Sequence, residues 1–240
     1  MRRSLPREFG GTKLFISPDS VLNLWRLDLR NIDPMLLRVA REHVHPGDTV
    51  WDIGANVGIF SFAAAALAGP TGRILAVEAD TWLVGLLRRS AGASGSDIAP
   101  VEVLPMAISR EVGVAKFNIA RRGRASNHLE VTGGSTQTGG VRESQCVPTA
   151  TLDWLLNHFP APKFLKIDVE GAEELVLRGA QRLLTDIRPI VMCEIFEQSR
   201  PAIDSLLHSH GYEFFNAEQP KEKRHPLQTS VRDTLAYPTR

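Results

Sequence analysis

Acidic residues recur where apolar runs give way to turns, and each could do chemistry. Asp52 stands in Val50-Trp51-Asp52-Ile53-Gly54-Ala55-Asn56-Val57-Gly58, a short apolar run that carries two glycines and opens a helix. Glycine in such a turn lets backbone approach a ligand closely, because it has no side chain to block the way. A dinucleotide site wants Gly-x-Gly-x-x-Gly, with the helix N-terminus free for a pyrophosphate. Here the spacing is Gly54-x-x-x-Gly58, and the Asp52 carboxylate would sit awkwardly beside a diphosphate. It suits a ligand carrying an ammonium and a sulfonium; a tight turn that holds no ligand is the alternative. Glu78 ends the next apolar run, 26 residues after Asp52. A carboxylate at that place can accept hydrogen bonds from both hydroxyls of a ribose.

The third signal is Phe164-Leu165-Lys166-Ile167-Asp168-Val169-Glu170-Gly171-Ala172-Glu173. A central parallel strand reads apolar throughout, because both its faces are buried. Lys166, Asp168 and Glu170 interrupt it at alternate positions, so they share one face if the strand runs that far. Burying three charges is costly unless they pair or line a site. Alternatively, Asp168 and Glu170 already lie in a loop and help cap the next helix. Glu173 and Glu174 suit that helix's first turn through its dipole and need no functional reading. Glu194 ends the following apolar run. Ligands of open α/β sheets sit beyond the carboxyl ends of the strands, so Asp52, Glu78, Asp168 and Glu194 would share one rim.

The elements that must position these residues follow from the pattern. Asp33 and Pro34 open a helix running to Val44, and Pro46-Gly47-Asp48 breaks it. Strands are predicted at Thr49–Ile53, Arg73–Val77, Val101–Met106, Phe164–Asp168 and Ile190–Glu194. Helices are predicted at Val57–Ala68, Thr81–Ser90, Leu152–His158, Ala172–Leu184 and Ala202–His210, the last followed by Gly211 as a C-cap. This alternation predicts an α/β fold with a mostly parallel sheet covered on both faces. Residues 112 to 119 read as a further strand. Residues 120 to 142, rich in Arg, Gly, Ser and Thr, read as a long mobile loop. Tyr212–Asn216 and Thr234–Tyr237 read as closing strands, and Gln219–Ser230 as a surface loop. Residues 1–30 read as a leading segment with a strand or two. The expected organisation is one globular domain, with a segment and helix over 1–45 ahead of a ligand-binding domain over 46–240.

Composition narrows the class. The 240 residues are 43% hydrophobic and 23% charged, as in folded globular chains. A net charge of +1 gives no general reason to bind a nucleic-acid backbone. Cys146 and Cys193 are too few for a disulfide framework or a zinc site of ordinary spacing. The charged N-terminus is followed by no apolar core segment, so a secretory signal is not expected. The apolar stretch Phe62–Ala68 is too short to cross a bilayer, and a cytoplasmic protein is the expectation.

Taken together, Trp51-Asp52-Ile53-Gly54-Ala55-Asn56-Val57-Gly58 and Leu165-Lys166-Ile167-Asp168-Val169-Glu170-Gly171-Ala172-Glu173 resemble the FkbM-type methyltransferases. These belong to the class I S-adenosylmethionine-dependent enzymes. Val77-Glu78, Ala107-Ile108-Ser109, Ser126-Asn127, Thr151-Leu152-Asp153 and Arg188-Pro189 support the match. The resemblance implies a Rossmann-like, seven-stranded sheet of order 3-2-1-4-5-7-6 with its last strand antiparallel. Strand three is then an edge strand, where Pro105 is tolerated. It implies S-adenosylmethionine as cofactor, held by Asp52, Gly54, Asn56, Gly58, Glu78, Ala79, Met106 and Ala107. The family usually has Glu-Pro where this chain has Glu78-Ala79, and a polar residue where it has Pro105-Met106.

The implied reaction is O-methylation of a small-molecule hydroxyl, on a sugar or natural-product intermediate. Asp168 is the expected base or polar anchor, with Lys166 and Glu170 organising it and Glu194 across the rim. A metal-assisted variant would hold Mg²⁺ on Asp168 and Glu194. The rivals are an RNA or protein methyltransferase, an NAD-type oxidoreductase, and a binding module without activity. Arg121, Arg122 and Arg124 could bind an acidic acceptor or merely solvate the loop. Asn127 matches a family position that could touch cofactor or acceptor, and His128 is a further candidate base.

Overall fold

The computed structural model describes residues 1–20, 33–121, 123–132 and 139–239. Strands β1 (Arg2–Ser4) and β2 (Lys13–Phe15) pair as an antiparallel hairpin. The rest of the leading segment, from residue 21 to residue 32, lies outside the described residues, as do Arg122 and residues 133–138. Helix α1 (Pro34–His43) begins as its cap dictates: Asp33 Oδ1 accepts a hydrogen bond from Leu36 N at 2.9 Å. Then come β3 (Thr49–Ile53), α2 (Ile59–Ala68), β4 (Arg73–Glu78), α3 (Thr81–Gly92) and β5 (Val101–Pro105). Four strands follow: β6 (Ala107–Ile108), β7 (Gly113–Ala120), β8 (His128–Leu129) and β9 (Val141–Ala150). The chain closes with α4 (Leu152–Leu155), β10 (Phe164–Ile167), α5 (Glu173–Arg178), β11 (Ile190–Glu194), α6 (Arg200–Ser209), β12 (Tyr212–Asn216) and β13 (Asp233–Pro238).

The main sheet runs β12-β13-β11-β10-β3-β4-β5, with β13 antiparallel to both its neighbours. Counted in chain order within the sheet, that is 3-2-1-4-5-7-6. Period-2 alternation sends Val50, Ile74 and Ala76 to the face covered by α1, α2 and α3. Trp51, Leu75, Leu165 and Val191 face the other way, against α5 and α6. Pro105 ends the edge strand β5 opposite Glu78.

Three expectations change. The helix expected over Ala172–Leu184 stops at Arg178 and resumes as a wide π-type turn over Leu183–Ile187. The helix expected over Leu152–His158 is a single turn. A second sheet of order β6-β9-β7-β8 is not among the expected elements: β7 is the strand read over residues 112 to 119, β9 falls mostly on residues beyond the expected loop, and within that loop only the short β8 and the ends of β7 and β9 are strand. Its strand β9 has mostly exposed residues and contains Pro148, so neither an apolar run nor strand propensity marks it in the sequence. No described helix is long and apolar enough to cross a membrane.

Gly54 fixes how β3 meets β10. Its φ is +78°, and an added Cβ would lie 1.8 Å from the Asp168 carbonyl oxygen. Glycine is thus required by the neighbouring turn, whatever ligand also approaches. Gly54→Ala is expected to cost about 3 kcal/mol or more of stability, from the clash and the left-handed backbone together. Calorimetric unfolding would read this directly, and an unchanged thermal midpoint would contradict it.

Candidate active site

The carboxyl ends of β3, β4, β10 and β11 open onto one cavity, roofed by the second sheet and the 3-10 turn at Arg124–Ser126. On one side lies Glu78, buried at 7% exposure. Its Oε2 accepts from Asn56 N and its Oε1 from Asp80 N, both at 2.8 Å. Burial pushes its carboxyl up to about 7, against the pull of these amides. Val77, Ala79, Leu83, Met106, Ala107, Ile108 and Phe117 line an apolar slot beside it. Asn56 also lines the cavity, and its Oδ1 is buried without a partner among the described residues. A buried acceptor left unmade is costly and wants a donor. This set fits a nucleoside joined to an ammonium: Glu78 for ribose hydroxyls, the slot for a base, Asn56 Oδ1 for the cation.

Two residues expected to touch cofactor do not line the cavity. Asp52 shares the Val50 face of β3, toward α2, and is fully buried. Its Oδ2 accepts from Ser61 Oγ at 2.5 Å and its Oδ1 from Lys166 Nζ at 3.1 Å. Its charge is therefore met inside the protein. Gly58, with φ +86°, starts α2, and an added Cβ there would lie 2.7 Å from Leu87 Cδ2, so packing explains it.

On the other side is the acid rim. β10 ends at Ile167, so the alternation that would align Lys166 with Asp168 and Glu170 stops short of them. Lys166 stays beneath the rim, 4% exposed, with Nζ 3.3 Å from Asp168 Oδ2. Burial opposes its charge, yet the carboxylates of Asp52 and Asp168 hold its ammonium well above the ordinary lysine range. Asp168, Glu170 and Glu194 all line the cavity, and one oxygen from each lies within 4.8 Å of the others. Burial works against the Asp168 charge, but Lys166 and a hydrogen bond with Glu194 keep its carboxyl below the usual value. Glu170 is pushed up to about 8 by burial and then by the charges of Asp168, Glu194 and Glu173. Glu194 is likewise pushed to about 8, by burial and Asp168, although Arg232 Nε donates to its Oε1 at 2.7 Å. At neutral pH the rim is therefore only partly ionised, and the Asp168–Glu194 pair shares its charge between Lys166 and Arg232.

The roof is locked by a residue the sequence reading passed over. Asp80 is fully buried; its Oδ1 caps α3 by accepting from Trp82 N at 2.9 Å. Its Oδ2 accepts from Arg124 Nη1 at 2.5 Å and Asn127 Nδ2 at 2.8 Å. Arg124 also stacks over the Trp82 ring at 4.5 Å, and Asn127 Oδ1 accepts from Ala120 N at 2.8 Å. The only sequence signal for Asp80 is its place ahead of a helix, which predicts a cap but not a clamp. Arg124, Ala125, Asn127 and Leu129 line the cavity, whereas the candidate base His128 does not. Within the expected loop, residues 123–132 form the turn at Arg124–Ser126 and the short strand β8, tied to Asp80 through Arg124 and Asn127. Arg124→Ala should raise hydrogen exchange across this stretch by about tenfold or more, the scale of one lost charge-assisted hydrogen bond. Unchanged protection by mass spectrometry would contradict that role.

The pattern of the family described as methyltransferase FkbM domain matches residues 52–214. The chain belongs to this family. It is a methyltransferase, and S-adenosylmethionine is its methyl donor. The hexuronic acid methyltransferase AglP of Haloferax volcanii is 25% identical over 195 residues, 80% of this chain and 74% of that protein. The structure of methyltransferase FkbM from Methylobacillus flagellatus superposes with a TM-score of 0.51 at 14% identity, covering 84% of this chain and 50% of that one. It shares the class I methyltransferase fold.

Proposed function

We propose that this enzyme methylates a hydroxyl oxygen on a small acceptor of sugar type. The observation that carries the reading is the acid rim of Asp168, Glu170 and Glu194 in the same cavity as Glu78. The likeness to a hexuronic acid methyltransferase supports the acceptor class. S-adenosylmethionine, when bound, supplies a methyl group on a positively charged sulfur. Glu78 would accept hydrogen bonds from its ribose hydroxyls and Asn56 Oδ1 from its ammonium, and Ala79, Met106 and Ala107 would pack on its base. Asp168 holds the acceptor hydroxyl in line, which by itself contributes much of the rate. The hydroxyl proton passes to the Asp168–Glu194 pair, which titrates as a unit. Lys166 keeps Asp168 charged and in place. Arg232, exposed beside Glu194, is suited to an acceptor that carries a negative charge.

Methyl-labelled cofactor offered with neutral sugars and with uronic acids tests the reading. Alkali-stable label on the sugar, as an ether, is the expected result. Alkali-labile label would place the methyl on a carboxylate. Label found only on RNA or protein would overturn the reading. Titration calorimetry should show binding of S-adenosylhomocysteine and none of NAD.

The spacing of the three rim carboxylates favours a second reading, in which a divalent cation sits among them. Glu170 joins Asp168 and Glu194 there as a third oxygen ligand of the kind Mg²⁺ takes. Chelation that abolishes turnover, restored by Mg²⁺, would select it; turnover indifferent to chelator would discard it.

A further inference from the structure

The turn that carries Asp168 and Glu170 runs against its own backbone preferences. Glu170 has a φ of +53°, which an L-residue with a long side chain seldom adopts, and Gly171 follows at +101°. Such a conformation persists only where surrounding contacts over-determine it. The contacts come from Glu173. This side chain is fully buried, and its Oε1 accepts from Val169 N at 3.3 Å and from Gly171 N at 2.9 Å. Those two amides bracket Glu170. The second oxygen, Oε2, is buried with no partner among the described residues. A glutamate serving only the helix dipole would stay at the surface, as Glu174 does, paired with Arg178. Burying a carboxyl is costly, and the turn is what it holds.

We infer that Glu173 is a positioning residue: by clamping the amides of Val169 and Gly171 it enforces the left-handed backbone at Glu170 and keeps that side chain at the rim with Asp168 and Glu194. This rests on the reading of the rim as the place where the acceptor reacts. The clamp needs an acceptor oxygen and not a charge, so Glu173→Gln preserves it, whereas Glu173→Leu fills the space without it.

Two measurements on both variants decide the matter. Crystal structures should show a positive φ at Glu170 in the wild type and in Glu173→Gln, and a relaxed backbone in Glu173→Leu. Turnover of a uronic acid acceptor should fall about tenfold or more in Glu173→Leu through kcat, the scale of a misplaced reacting group. S-adenosylhomocysteine affinity should stay within about threefold, because the clamp does not touch Glu78 or Asn56. Glu173→Gln should match the wild type in both. A positive φ retained in Glu173→Leu would overturn the inference, as would a loss in Glu173→Gln as large as in Glu173→Leu. So would a fall in cofactor affinity that parallels the fall in kcat, which marks a merely structural role. If Glu173→Leu does not fold, Glu173→Asp replaces it, its shorter carboxylate being unable to hold both amides. If the wild type methylates no sugar, the acceptor reading fails, and the crystal structures still decide the role of Glu173.

Discussion

Asp168→Asn is expected to lower methyl transfer by about 10²-fold or more, the usual scale for a lost general base, while S-adenosylmethionine binds within a few-fold of wild type. The separation follows from the geometry. Asp168 lines the cavity at the acid rim, while the groups proposed to hold cofactor, Glu78 and Asn56, are on β4 and in the turn after β3. An interaction that grows toward the transition state appears in kcat and not in cofactor affinity. The pH dependence follows with a definite sign. Glu170 and Glu194 are pushed up to about 8, so each is mostly protonated at neutrality and becomes able to take a proton as pH rises. Turnover in the wild type should therefore climb with pH and level off above about 8. The Asp168 charge is, after burial, the chief cause of both raised values. Removing it should move the limb of the residual activity to lower pH. Normal turnover in Asp168→Asn would make Asp168 only the residue that starts a turn, with Glu170 next in line.

The parts of this molecule that were legible in its sequence are those fixed by short-range chemistry. Strand–helix alternation, the Asp33 cap and the Gly211 stop depend on periodicity and on backbone groups a few residues apart. The rim was legible too, because charges at the ends of apolar runs need a reason. What escaped is long-range pairing. Asp52 looks like a ligand-facing carboxylate until Ser61 and Lys166 are seen to satisfy it from two other elements. Asp80 looks like a cap until Arg124 and Asn127, 44 and 47 residues on, are found on its second oxygen. Glu173 looks like an ordinary first-turn acid until its burial is known. In each case the deciding partner lies on an element whose placement no local pattern records. The second sheet escaped for a related reason: β9 exposes most of its residues and takes its place from pairing with β7.

Glu78→Ala is expected to weaken S-adenosylhomocysteine binding by about 1–3 kcal/mol, the range for lost hydrogen bonds to a charged group. The carboxylate is preorganised: Asn56 N and Asp80 N fix its two oxygens, and each keeps capacity for a further donor such as a ribose hydroxyl. Its pKa sharpens the test. In the free protein burial pushes the Glu78 carboxyl up to about 7. Ribose hydroxyls donate to the ionised form, so binding favours deprotonation and affinity must rise with pH up to about 7 and flatten above it. The stability of the free protein runs the other way. The folded state holds the Glu78 proton above the ordinary carboxyl range, so this residue's contribution is full below that range and is lost as pH rises through about 7. Glu78→Gln should remove both dependences and bind more weakly than wild type above neutrality, while still accepting from one of the two backbone amides. Calorimetric titration from about pH 6 to about pH 8, with circular dichroism as the check on folding, separates these outcomes. An affinity in Glu78→Ala equal to wild type, or a wild-type affinity flat across neutral pH, would remove Glu78 from the cofactor site and leave it as the brace between the Asn56 turn and the start of α3.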